Sequence, residues 1–236
     1  YAELGYQETK SSNLLASELK KEGFKITKGV AGIPTAFIAE FGSSGPVIGI
    51  LGEFDALPGL AQTNSPFKEV AVNDSGGGHA CGHHLFGAAS AWAAVSIKEW
   101  LDENDIEGTV RFYGTPAEEG GSGKVYMVRE GLFDDVDVVL HWHPDDVNSA
   151  NPKTSNSNKS AKFTFKGISA HAAGSPELGR SALDGVEAMN MMVNMMREHI
   201  PQESRMHYVI TKGGLAPNVV PDLAEVYYYV RHPEMK

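Results

Sequence analysis

The chain has 236 residues, 42% of them hydrophobic, enough apolar material for one large core or two smaller ones. Its 20 basic and 30 acidic side chains give a net charge of −10, and no stretch gathers Lys and Arg into a stripe, so nucleic acid and anionic membrane are excluded as expected partners. With no apolar run of about 18 residues, no basic-then-apolar leader after Tyr1, and one cysteine, Cys81, that has no internal partner, the expected setting is soluble and cytoplasmic. In chain order, Ser12 to Glu22 has the apolar spacing of an amphipathic helix closed by Gly23, and Thr35 to Phe41 reads as a strand followed by turn residues 42–46. Strands are predicted at Val47 to Leu51, Thr109 to Gly114 and Val136 to Trp142, with helices from His84 to Leu101 and around Lys124 to Glu130. That alternation predicts an α/β layer fold.

From Asp145 to Ser160 the sequence is Asn, Ser, Lys, Pro and Asp with almost no large apolar side chain, which predicts a linker and a domain boundary near Ser155. The expected domains are 1–157 and 158–236. The second carries an alternating strand, Ala161 to Gly167, a methionine-rich helix from Ser181 to Ile200, and strands at Met206 to Thr211 and Ala224 to Arg231, an α+β module. Methionines 189, 191, 192, 195 and 196 read as core or interface filler.

Chemistry-bearing residues gather in three places in the first domain. The run GGGHACGHH, residues 76–84, precedes a helix; alternate residues of an extended backbone share a face, so Cys81 and His83 are expected to converge on one cation. A thiolate beside an imidazole favours zinc or a similar transition metal. Cys81 with a histidine is also the composition of a thiol nucleophile pair. Second, TPAEEGGSG follows a predicted strand at 115–123, and adjacent Glu118 and Glu119 divide naturally into a metal donor and a base. Third, His141 and His143 bracket Trp142 at another strand end, and the pattern does not choose between them. Asp55, in EFDALP at 53–58, is placed to orient a metal-bound histidine. In the second domain His171 lies among small residues, and Asn218 and Arg231 are candidates to clamp a substrate carboxylate.

With HACGH at 79–83, PAEEGG at 116–121, WHP at 142–144, GISAHA at 167–172, GRSALD at 179–184 and PNVV at 217–220 in this order, the whole chain resembles the amidohydrolase branch of the zinc aminoacylase and carboxypeptidase metallopeptidase family. The resemblance implies a catalytic domain with a mixed sheet flanked by helices and a smaller α+β lid that dimerises with a second copy or a related subunit. It implies two divalent ions, Zn2+ or Mn2+, on Cys81, His83, Glu119 and His143, and Glu118 as general base. His171 would reach a partner's active site to stabilise the oxyanion, while Asn218 and Arg231 would hold the substrate carboxylate. The implied substrate is an N-acyl amino acid, p-aminobenzoyl-glutamate or a small dipeptide. Three departures stand beside this. The family's last metal-binding histidine lies further downstream than Lys236, so the ligand set is expected to be incomplete here. Position 84 is His where many relatives have Asp or Asn. Glu53 occupies the place of a metal-binding histidine in the aminopeptidase-like branches and is read as the loss of that ligand. The rival readings are a non-catalytic metal-binding or dimerisation module and a cysteine hydrolase using Cys81.

Overall fold

The computed structural model describes residues 1–73, 75–150 and 154–234. Two compact units divide between Asn148 and Ser149. In the first, helix α1 (Thr9–Lys21) leads to strands β1 (Lys25–Lys28), β2 (Phe37–Phe41) and β3 (Val47–Gly52). A short hairpin, β4 (Leu57–Pro58) with β5 (Gly77–Gly78), then delivers the chain to the long helix α2 (His83–Glu103). Strand β6 (Thr109–Gly114), a single irregular turn α3 (Glu118–Gly121), helix α4 (Gly123–Arg129) and strand β7 (Val138–Leu140) complete the unit.

The sheet order is β1-β2-β6-β3-β7, with β1, β2 and β6 antiparallel and β6, β3 and β7 parallel. Successive side chains of the central strands face opposite layers. Ile50, Val110 and Phe112 join Ala16 and Leu19 of α1 and Ala91, Ala94 and Val95 of α2, whereas Leu51 and Tyr113 join Met127 of α4 and Phe86. A sheet covered on both faces explains why these strands read as nearly continuous apolar runs. Strand β1 escaped prediction because its sequence, KITK, is half lysine; those charges blunt an edge strand that pairs only with β2. The predicted strand Val136 to Trp142 contracts to three residues because the chain leaves the sheet after Leu140 and turns its rings onto Phe86 of α2.

The second unit is an antiparallel sheet β8-β10-β9, formed by β8 (Ser157–Lys166), β9 (Arg205–Lys212) and β10 (Leu223–His232), with helix α5 (Ala182–Met196) on one face. Ser181 caps α5 by accepting the Asp184 N–H. Ala182 and Val186 of α5 bury Ala224, Val226 and Tyr228 of β10. Among the described residues of this unit, α5 packs on one face of the sheet, so it needs one apolar stripe. Met189 packs into it, while Met191, Met192, Met195 and Met196 are exposed rather than core. Strand β8 begins at Ser157, inside the segment expected to be linker, because antiparallel pairing to β10 satisfies the backbone without apolar side chains. Residues 151–153 of that segment lie outside the described residues.

Candidate metal centre

The parallel strands β3, β6 and β7 run in register, ending at Gly52, Gly114 and Leu140. The stretches leaving those ends carry Glu53 and Asp55, Glu118 and Glu119, and His141 and His143, so residues distant in sequence emerge along one edge, where open α/β sheets place ligands. Cys81 and His83 arrive by another route. The extended backbone expected at 81–83 is replaced by a turn in which Gly82 takes φ 76° and ψ 16°, and His83 becomes the first residue of α2. Glycine is suited to that left-handed conformation.

His83 is the hub. It is fully buried, its Nδ1 lies 3.0 Å from Asp55 Oδ1, and the other Asp55 oxygen accepts the Glu119 N–H at 2.8 Å. Asp55 thus ties the histidine to the acidic turn. His83 Nε2 faces Glu53 Oε2 at 2.9 Å and Glu118 Oε2 at 4.0 Å. Cys81 Sγ lies 3.4 Å from His143 Nε2, and the thiol also hydrogen-bonds the Glu119 carboxylate. The His83 and His143 rings stand edge to face at 5.5 Å over Phe86. Among the described residues, the donor atoms of Cys81, His83 and His143 lie within 4.8 Å of one another, as do those of Glu53, His83 and Glu118.

Electrostatics follow from crowding. Burial, then the carboxylates of Glu119, Glu118 and Glu53, pushes the Cys81 thiol up to about 11. Burial and the charges of Glu53 and Glu119 raise the Glu118 carboxyl above its ordinary value. Burial opposes the charged form of His83, yet hydrogen bonds and charges from Asp55 and Glu53 push it up to about 10. Burial likewise works against ionised Glu53, but His83 and the Lys124 ammonium on its other oxygen hold it low.

These residues fit a divalent cation. Glu53 Oε2 and His83 Nε2 are buried and meet each other at 2.9 Å with no further partner, so a cation that displaces the shared proton finds two donors turned to common space. A thiol, two imidazoles and the carboxylates of Glu53 and Glu118 form a donor set suited to zinc-like ions. Glu53, read from sequence as the loss of a ligand, lies in one of the two donor groups, beside His83 and Glu118. Its signal was its spacing: Glu53 and Asp55 are alternate residues leaving a strand, both facing His83. His141 packs on Phe86 outside both donor groups, and the rings of His84 and His79 pair at 4.6 Å, with His79 Nε2 on the Tyr1 carbonyl. Beside the Cys81 loop lies a cavity of about 600 Å³ bordered by His79, His84, Gln62, Asn64, Lys68 and Asn73, within the size range of small-molecule sites.

In the second unit, His171 pairs with Val219, and Ala172 donates its N–H to the Asn218 carbonyl at 3.0 Å, so His171 and Asn218 share one corner. Arg231 lies eight positions, about 27 Å of strand, beyond Leu223 at the start of β10, its guanidinium over the Tyr229 ring. Asn218 sits in the turn before that start. A joint grip of Asn218 and Arg231 on one carboxylate is thus not assembled within this unit.

The sequence pattern of peptidase family M20/M25/M40 matches residues 49–225. The chain belongs to that family. Among relatives, it is 50% identical over its full length to a p-aminobenzoyl-glutamate hydrolase subunit of Escherichia coli (strain K12), covering 49% of that protein. It is 32% identical to human Xaa-Arg dipeptidase, over 99% of this chain and 53% of the relative. The chain spans about half the length of these curated relatives. A dinuclear metal-binding M20 peptidase from Bacillus subtilis, known from its crystal structure, superposes with a TM-score of 0.65 at 26% identity, over 99% of this chain and 61% of that one.

Proposed function

We propose that the whole protein is a metal-dependent amidohydrolase that cleaves an N-acyl amino acid, with p-aminobenzoyl-glutamate the first substrate to test. The meeting of Cys81, His83 and His143 donors within 4.8 Å, from two separate stretches of chain and beside the Glu118–Glu119 pair, carries this reading. Two Zn2+ or Mn2+ ions would be held by Cys81, His83, Glu119 and His143. When bound, such ions polarise the scissile carbonyl and acidify a water.

The remaining work falls to side chains. Glu118, raised above its ordinary value, is suited to take a proton from the attacking water and return it to the leaving amine. Asp55 fixes the His83 ring through Nδ1 and leaves Nε2 free to donate its lone pair. His171, on the second unit, is assigned to the oxyanion, and Asn218 and Arg231 to substrate carboxylates, in an assembly of two copies or with a related subunit. The 50% identity to a p-aminobenzoyl-glutamate hydrolase subunit supports this substrate class. Glu118→Gln should lower turnover at least about 100-fold while metal content stays at the wild-type level. A full-length variant within tenfold of wild type would remove the base assignment.

A further inference from the structure

The turn bearing Glu118 and Glu119 is anchored from the opposite end of the sequence. Ala117 is fully buried in the left-handed region, φ 54° and ψ 46°, a conformation that side chains with a Cβ rarely adopt and that persists only where the surroundings over-determine it. Its N–H is accepted by Glu8 Oε1 at 2.8 Å, and Glu8 Oε2 accepts the Thr35 hydroxyl at 3.0 Å. Glu8 is itself 0% exposed, an expensive place for a carboxylate. At the far end of the turn, the Gly121 carbonyl accepts the Tyr6 hydroxyl. Gly5 packs against the near end, where a Cβ on it would come within 3.1 Å of Ala117 Cβ. Residues 5–8 therefore hold both ends of the Ala117–Gly121 stretch, and Asp55 holds its middle through the Glu119 N–H.

We infer that Glu8, assisted by Tyr6, is a positioning residue that sets the direction in which Glu118 and Glu119 leave the turn. The inference rests on the role proposed for Glu118, and it assigns a task to a buried acid that neither touches the donor cluster nor lines the adjacent cavity.

The test uses the full chain with p-aminobenzoyl-glutamate, reading kcat, KM and bound metal separately. Glu8→Leu should lower kcat about 30-fold or more with KM within about threefold and metal content unchanged, since small displacements of a reacting group cost this much. Glu8→Gln, which keeps an acceptor for the Ala117 N–H, should restore kcat to within about fivefold of wild type. Leu19→Ala, a core truncation remote from the turn, gives the control: a lower Tm with kcat retained. Should Glu8→Leu not fold, Tyr6→Phe carries the test, with kcat expected to fall about threefold to tenfold. The inference is overturned by an unchanged kcat in Glu8→Leu, by Glu8→Gln being as impaired as Glu8→Leu, or, in the non-folding case, by wild-type kinetics of Tyr6→Phe. An active Glu118→Gln in the same series would remove the functional reading instead, and with it the object of the positioning.

Discussion

His83 sits between two acids, and its chemistry in the metal-free protein is set by that pairing. Held up to about 10, it keeps its proton at neutral pH, as does the Cys81 thiol at about 11. Cation binding at Cys81 and His83 must expel both, so titration calorimetry in buffers of differing ionisation heat should register about two protons released per ion near pH 7.5. Affinity should rise with pH, and no proton release would contradict the donor assignment. The sign for stability is opposite. A raised histidine contributes fully below its ordinary value of 6.5, and in metal-free protein that contribution is lost as pH climbs through about 10. Cys81 and His83 were legible in sequence because a dense run of thiol and imidazole side chains serves no packing need that smaller or more apolar residues would not meet better, whereas pattern left His143 and His141 undivided and only the family resemblance favoured His143. Glu8 was not, because its partner at Ala117 is 109 positions away and nothing local marks either residue.

At the level of elements, the site depends on how closely α2 approaches the end of β3. A Cβ on Gly87 would lie 2.5 Å from the Glu53 carbonyl oxygen, backbone against backbone, with little room to yield. Alanine is worth up to about 1 kcal/mol over glycine in a helix interior, yet overpacking typically costs about 1–3 kcal/mol. Gly87→Ala should therefore lower the urea midpoint and weaken metal binding together; a stabilised variant with normal affinity would show that α2 can shift freely. Helices and central strands of the first unit were readable because a sheet covered on both faces demands long apolar runs. Strand β1 and the polar start of β8 were not, because backbone pairing holds them with few buried side chains.

For the molecule as a whole, the competing chemistry of a cysteine nucleophile makes a separable prediction. Cys81 and His143 are within reach of each other at 3.4 Å, but a thiol pushed up to about 11 is a poor nucleophile at neutral pH. A chelator should abolish hydrolysis by the full-length protein, and Zn2+ or Mn2+ should restore it. Inactivation by iodoacetamide that chelators fail to mimic would favour the thiol instead. Crowded acids carry a last implication. Burial and two like-charged neighbours raise Glu118 above its ordinary value, so the fold disfavours its charge rather than benefiting from it. Removing that charge relieves the repulsion: the Gln variant expected to be catalytically silent should also melt at a higher temperature than wild type when both are stripped of metal, trading activity for robustness at a single side chain.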